Sequence, residues 1–166
     1  MADYSTVDGA IVGILMGSAS DWPTMQKASE TLQELGIAHE CNAISAHRNH
    51  ERLGRYVGEA EQRGVKLFIC AAGGAAHLAG VVAAITHLPV LGCPMKAWSL
   101  EGLDSLLSTV QMPKGIPVAT FAIGAAGAVN AAIFAAHVLA LGDDAIRGRL
   151  QAFRRRQSEA VQPLGD

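Results

Sequence analysis

The stretch that decides the fold class is residues 10–21, which read AIVGILM followed by GSASD. A short apolar run that ends in glycine and small polar residues is typical of a strand buried on both faces. A helical pattern follows over residues 23–35 and stops at Gly36, a residue that commonly ends helices. This part of the chain is therefore predicted to form a strand, a loop and a helix.

The same alternation continues along the chain. Further strands are predicted over residues 38–44, 67–71, 90–92 and 118–122, and further helices over residues 50–63 and 76–86. Strands and helices at this spacing require right-handed crossovers, which produce a parallel sheet with helices on both faces. The sequence thus predicts an α/β fold.

The last part of the chain contains two different helical segments. Residues 127–141 read GAVNAAIFAAHVLAL and are apolar nearly all round, so we expect them to be buried in the domain or between subunits. Residues 143–160 form a polar pattern with acidic residues first and arginines later, which suits the helix dipole. Because neither a repeat nor a linker is visible, residues 10–160 are predicted to be a single domain between polar tails at 1–9 and 161–166.

Composition limits the classes of function. Thirteen basic and fifteen acidic residues leave a net charge of −2, which favours neither nucleic acid nor an acidic membrane surface as a partner. Residues 1–9 lack the apolar core of a signal peptide, and residues 127–141 are shorter than the roughly 20 that a membrane span needs, so a soluble, cytoplasmic protein is expected. Charged residues make up only 17%, against about 25% in ordinary domains, which favours an oligomer.

Metal and nucleophilic chemistry have little support. Cys41, Cys70 and Cys93 show no metal-type or redox-type spacing and are predicted to be small buried hydrophobes. No cluster of histidine, cysteine and carboxylate has ligand spacing, so no metal site is predicted. Neither a GxSxG elbow nor a Cys–His signature is present.

Three segments of small and polar residues follow the first three predicted strands. They are GSASD at 17–21, SAHR at 45–48 and GGAAH at 73–77. In an open parallel sheet, ligands bind where loops leave the carboxyl ends of the strands. We therefore expect these three segments to meet in one site.

The first segment suits a phosphate group. Gly17 permits a tight turn, Ser18 and Ser20 offer hydroxyls, and the following helix presents free N–H groups. The alternative is that Ser20 or Asp21 only caps that helix, and both roles can coexist.

The other two segments add a side chain that can carry a proton and glycines that let a ligand approach the backbone closely. Arg48 can clamp a phosphate through two parallel hydrogen bonds, and His47 can move a proton near neutral pH. Gly73 and Gly74 permit a ligand to approach the backbone, and His77 lies at the start of a predicted helix. An isolated histidine is more often structural, so these residues by themselves indicate only a phosphate-bearing small molecule in a doubly wound domain.

Five motifs in order resemble the PurE family, the N5-carboxyaminoimidazole ribonucleotide mutases. They are MGSASDWPTM at 16–25, ISAHR at 44–48, AAGGAAHLAG at 71–80, GLDSLLSTVQMPKGIPVAT at 102–120 and AIGAAGAVNAA at 122–132. The match runs over about residues 10–159. It implies a flavodoxin-like three-layer α/β/α sandwich with a C-terminal helix, assembled as a homo-octamer and needing neither a metal nor an organic cofactor.

The resemblance also implies a reaction and a set of site residues. The family moves a carboxylate from the exocyclic nitrogen to ring carbon C4 of an aminoimidazole ribonucleotide through trapped CO2, a step of de novo purine biosynthesis. By resemblance, His47 is the catalytic residue and Ser18, Asp21, Ser45 and Arg48 bind the phosphate and ribose end. The residues matching the pocket for the mobile carboxylate are Gly73, Gly74, Ala75, Ala76 and His77.

The chain departs from the family pattern at three places. Asn49 and His50 follow SAHR where Thr-Pro is usual, and HLAG at 77–80 replaces HLPG. The segment PMKAW at 94–98 stands where Gln-Ser is more usual, so substrate contacts in that loop are expected to differ.

Three alternatives accompany this interpretation. A direct aminoimidazole ribonucleotide carboxylase is the nearest, and Arg48 in place of a lysine favours the mutase over it. A flavodoxin-like module that binds a flavin or nucleotide without catalysis is the second. A nicotinamide-dependent oxidoreductase is the third, and the missing GxGxxG after the first strand argues against it.

Overall fold

The computed structural model describes residues 4–160, so the predicted tail at 161–166 and the first three residues of the tail at 1–9 lie outside the described part. The strands are β1 (Val12–Met16), β2 (His39–Ala43), β3 (Leu67–Gly73), β4 (Val90–Met95) and β5 (Ala119–Thr120). The helices are α1 (Trp22–Glu34), α2 (His50–Arg63), α3 (Leu78–Ile85), α4 (Leu103–Val110), α5 (Ala125–Leu139) and α6 (Asp144–Glu159). Short 3₁₀ turns lie at Ala19–Asp21 and Trp98–Leu100.

The five strands form one parallel sheet in the order β2-β1-β3-β4-β5. In the register of this sheet, Val12 of β1 is paired with His39 on one side and Leu67 on the other. This is the flavodoxin-like strand order, so the predicted α/β fold is confirmed. Since all strands point the same way, the loops that follow them gather at a single edge.

Helices cover both faces of the sheet and create two apolar cores. On one face α1, α5 and α6 pack against alternate residues of β1, including Ile14. On the other face α2 and α3 pack around Leu15 and Phe68. The side chains of a strand alternate between faces, so a strand buried on both sides is apolar at every position, as predicted for β1.

The apolar helix α5 is only partly buried within this chain. Its alanines pack against α1, while Phe134 keeps 43% of its surface exposed. A side chain on Gly127 would collide with the backbone oxygen of Ala122, since a Cβ there would lie 1.7 Å from it. Small residues therefore permit the close approach, and the expectation of burial within the domain holds for one side of the helix.

Helix α2 has the predicted bounds, and residues next to each end explain why the helix begins and ends there. The side chain of Asn49 accepts a hydrogen bond from the backbone N–H of Arg52 at 3.0 Å. At the other end Gly64 adopts φ 105°, a left-handed conformation that suits glycine. The departure from Thr-Pro at 49–50 therefore leaves a helix with a capped start.

The structure adds one helix and moves the ends of the strands relative to the sequence prediction, and the largest changes are in β4 and β5. No helix was predicted over α4, whose eight residues follow Gly102 at φ 93°. Strand β4 extends three residues beyond the predicted end at Gly92, since Pro94 and Met95 still pair with β3. Strand β5 is shorter than predicted because only Ala119 and Thr120 pair with β4.

Candidate active site

The three loops predicted to carry the chemistry meet at the carboxyl edge of the sheet. They surround a cavity of about 480 Å³ that also receives residues 96–98, which follow β4. The predicted site residues that line this cavity are Ser18, Asp21, Ser45, His47, Arg48, Gly73 and Ala75. Parallel strands place these loops together although they are separated in sequence.

The GSASD loop both caps a helical turn and faces the cavity. The carboxylate of Asp21 accepts a hydrogen bond from the N–H of Ser18 at 3.2 Å, and the hydroxyl of Ser20 donates to that of Ser18 at 2.8 Å. Burial raises the pKa of Asp21, and the hydrogen bond from Ser18 opposes that shift. The prediction that Ser20 or Asp21 caps the following helix is wrong, because Ser18 is the cap and it caps the 3₁₀ turn, while Asp21 makes no side-chain cap hydrogen bond at the start of α1.

Arg48 extends from the loop after β2 to the loop after β1. Its guanidinium donates a hydrogen bond to the backbone oxygen of Gly17 at 3.0 Å. Its backbone N–H lies 3.3 Å from the hydroxyl of Ser45. The cation is therefore held beside the serines of GSASD, an arrangement that suits an anionic group such as phosphate.

His47 and His77 form a pair across the end of β1. Nε2 of His47 lies 2.9 Å from Nδ1 of His77, and the two rings are nearly perpendicular, at 88°. One nitrogen must donate and the other accept, so a single hydrogen bond joins the two imidazoles. The sequence placed both residues in the site but did not indicate that they touch.

The GGAAH loop supplies a close backbone surface. Gly73 and Ala75 line the cavity, whereas Gly74 and Ala76 are buried beneath it. Gly74 adopts φ 66°, and a Cβ on it would lie 2.3 Å from the ring of Trp98. Glycine is therefore required at this position by both the backbone conformation and the neighbouring ring.

Helix α4 holds the GGAAH loop from below with polar side chains. The backbone N–H of Gly74 donates to the hydroxyl of Ser105 at 2.8 Å. The hydroxyls of Ser108 and Thr109 also lie 3.3 and 3.4 Å from the backbone oxygens of Gly74 and Ala76, although their shorter bonds, at 2.6 and 2.7 Å, go to backbone oxygens within α4. Ser105 is fully buried, so its bond to the loop is one that water does not reach.

Residues 96–98 line the cavity and were not among the predicted site residues. The pairing of Gly73 with Met95 brings Lys96 and Ala97 alongside the GGAAH loop. Trp98 has φ 46° and is 81% exposed. The only sequence signal for these residues was the unusual PMKAW segment.

Within residues 4–160, no group of three or more histidine, cysteine, aspartate or glutamate residues could hold a metal ion. Cys70 and Cys93 are buried as predicted, and burial raises the pKa of Cys93 to about 12. Cys41 is half-buried, and burial raises its pKa to about 11, so its thiol is protonated at neutral pH. None of the helices in this range is long and apolar enough to cross a membrane.

Comparisons with known proteins agree with this geometry. Residues 11–160 match the family model described as AIR carboxylase. A Vibrio parahaemolyticus protein named N5-carboxyaminoimidazole ribonucleotide mutase is 53% identical over 150 residues, which cover 90% of this chain and 93% of that protein. A Brucella melitensis protein of the same name is 55% identical with the same coverage. The crystal structure of Treponema denticola PurE superposes with a TM-score of 0.82 at 30% identity, covering 89% of this chain and 91% of that one.

Proposed function

The chain belongs to the AIR carboxylase family, and on that premise we propose that it is an N5-carboxyaminoimidazole ribonucleotide mutase of purine biosynthesis. The reaction moves a carboxylate from the exocyclic nitrogen to C4 without net change in composition. The observation that carries the proposal is that His47, which contacts His77, lines the same cavity as Arg48. The relatives that match nearly their full length share this name, which favours the mutase over direct carboxylation.

The phosphate and ribose of the substrate bind at the β1–β2 end of the cavity. Arg48 and the hydroxyls of Ser18 and Ser20 face this end, and Ser45 lies beside them. A guanidinium and several hydroxyls together suit the three oxygens of a phosphate. Asp21 accepts hydrogen bonds from the ribose hydroxyls, since its carboxylate also lines this end.

His47 moves the proton that the isomerisation requires. The imidazolium of His47 protonates the exocyclic nitrogen as the carbon–nitrogen bond breaks and CO2 leaves. Ring carbon C4 then attacks the CO2, and the neutral imidazole removes the C4 proton, which restores the aromatic ring. A single group serves both steps because its acid and base roles alternate. His77 orients the ring of His47 through their shared hydrogen bond.

The GGAAH loop retains CO2 between the two steps. The segment carries no side chain larger than a methyl group before His77, so a small neutral molecule can lie against the backbone. Holding CO2 beside C4 replaces a bimolecular encounter by an effectively unimolecular one. The polar bonds from α4 keep this surface in place.

We also propose that the protein is a cytoplasmic homo-octamer that needs no metal or organic cofactor. The half-exposed apolar side chains of α4 and α5 support assembly. They include Leu103, Leu107, Val110 and Phe134. Exposed apolar side chains on a protein with few charges are typical of surfaces covered by other subunits.

The decisive experiment follows freshly prepared N5-carboxyaminoimidazole ribonucleotide by ultraviolet absorbance, without ATP or bicarbonate. We expect the C4-carboxy isomer to form faster than the substrate decays. His47→Asn should lower the rate by about 10²- to 10⁴-fold, because the proton carrier is lost. His87→Asn changes another exposed histidine, outside the cavity, and should leave the rate unchanged.

Other outcomes would replace the proposal. If the substrate only decays, while aminoimidazole ribonucleotide plus bicarbonate gives product, the protein is a direct carboxylase. If His47→Asn retains near-wild-type turnover, the role assigned to His47 is wrong.

A further inference from the structure

Lys96 lies at the end of the cavity opposite Arg48. It follows β4 directly, and the pairing of Met95 with Gly73 places it beside the GGAAH loop. Arg48 follows β2 and contacts Gly17 after β1. In the order β2-β1-β3-β4, strands β2 and β4 are three spacings apart, roughly 14 Å at about 4.8 Å per strand. The cavity therefore has a cation at each end.

The substrate and product each carry two anionic groups. One is the phosphate, which the proposed function places at Arg48. The other is the carboxylate, which begins on nitrogen and finishes on C4 at the GGAAH end. Among the described residues that line the cavity, Arg48 and Lys96 are the two with permanently cationic side chains. Once the phosphate occupies Arg48, Lys96 is the remaining permanently cationic side chain of the cavity lining for the carboxylate.

The surroundings of Lys96 leave its ammonium able to exchange partners. It is paired with Glu101, but both side chains are about two-thirds exposed, at 66% and 67%. Exposed ion pairs contribute little to stability, so a carboxylate in the cavity can replace Glu101. A lysine is a compact charge on a flexible stem, which suits a carboxylate that changes position during the reaction.

We propose that Lys96 is a specificity-determining residue that binds the carboxylate of the substrate and product and so distinguishes them from the uncarboxylated ribonucleotide. This inference rests on the proposed function. The charge on the carboxylate disappears when neutral CO2 forms, so Lys96 stabilises the bound ground states rather than the decarboxylation step. Such an interaction lowers KM and, because it is lost as the transition state is reached, lowers kcat as well.

Lys96→Gln tests the assignment, since it removes the charge while keeping a polar side chain. Calorimetry would measure the Kd of the C4-carboxy ribonucleotide and of aminoimidazole ribonucleotide, which lacks the carboxylate. We expect about a tenfold increase in Kd for the first and no change for the second, as loss of one charge-assisted contact predicts. KM for the mutase substrate should rise by the same factor and kcat should rise with it, so that kcat/KM changes little.

Two variants serve as controls. Lys66→Gln changes an exposed lysine at the amino end of β3, the opposite edge of the sheet, and both Kd values should stay at wild-type level. Glu101→Gln removes the competitor of the substrate carboxylate, so it should leave the carboxylated ligand bound at least as tightly as in the wild type.

The outcomes separate this inference from the function on which it rests. If Lys96→Gln weakens both ligands equally, or neither, the assignment of the carboxylate to Lys96 is wrong. If the wild-type protein binds neither ribonucleotide and forms no isomer, the proposed function fails and the assignment fails with it.

Discussion

Asp21 combines a ligand-facing position with an unfavourable environment for its charge. The carboxylate is partly buried at the end of β1, and burial raises its pKa despite the hydrogen bond from the N–H of Ser18. A folded pKa above the ordinary value of 3.8 means that the folded state binds a proton more tightly than the unfolded state. The contribution of Asp21 to stability is therefore fully present below the ordinary pKa and is lost as pH rises through the folded value.

Asp21→Asn should consequently raise the melting temperature at neutral pH and lower turnover. The neutral amide avoids the burial of charge but binds the ribose less well than a carboxylate. The gain in melting temperature should shrink as pH falls from about 7 toward about 4, since protonation neutralises the wild-type side chain. Calorimetry across this pH range measures the difference in melting temperature between the variant and the wild type. Asp8→Asn, which changes an exposed aspartate, is the control. A variant less stable than the wild type at neutral pH would contradict the argument.

The histidine pair illustrates how a single contact defines a role. His47 alone could be a solvated loop residue, since its side chain is exposed. The 2.9 Å contact between Nε2 of His47 and Nδ1 of His77 restrains the direction of the His47 ring. The loops after β2 and β3 therefore act together, although 30 residues separate the two histidines.

At the scale of elements, the two faces of α4 have different surroundings. Ser105 accepts a hydrogen bond from the backbone of the GGAAH loop, and the hydroxyls of Ser108 and Thr109 lie 3.3 and 3.4 Å from its carbonyl oxygens. Leu103 and Leu107 lie on a face that is about half exposed in this chain. The helix is short, so its position depends on these tertiary contacts more than on its own propensity.

Ser105→Ala should loosen the loop that retains CO2. The variant leaves the buried N–H of Gly74 without its acceptor, which costs about 1–3 kcal/mol. We expect a lower urea midpoint of unfolding, a lower kcat, and more aminoimidazole ribonucleotide released per isomer formed. Chromatography of the products measures that ratio.

Ser158→Ala is the matched control for Ser105→Ala. It removes an exposed serine hydroxyl on α6, far along the chain from the loop. Stability should change by no more than about 0.5 kcal/mol and the product ratio should not change. An unchanged ratio in Ser105→Ala would show that other contacts hold the loop.

At the scale of the whole molecule, several large apolar side chains are exposed among the described residues. Trp98 and Leu100, which follow β4, are 81% and 57% exposed, and Leu103 and Leu107 of α4 are about half exposed. With only 17% charged residues, the chain has few charged groups to oppose contact with a neighbouring copy.

Leu107→Glu should dissociate the proposed octamer, because a charge would be placed in an apolar contact. Sedimentation velocity should show a mass near eight chains for the wild type and smaller species for the variant. Ile85→Glu introduces the same charge at an equally exposed residue, 49% against 48%, at the end of α3, and should keep the assembly. A monomeric wild type would overturn the proposed oligomer.

The sequence by itself determined the alternation of strands and helices, the bounds of α2 and the three loops that form the site. Buried strands, helix-ending glycines and the spacing that leads to right-handed crossovers are indicated by residues close together in the chain. The sequence is therefore sufficient to predict these features. The sequence motifs indicated the family in the same way. Only the tertiary structure decided the His47–His77 contact, the place of α4 and the entry of residues 96–98 into the cavity. Each depends on groups brought together across the sheet, such as Ser105 and Gly74 at 31 residues apart, and local patterns carry no information about such distances.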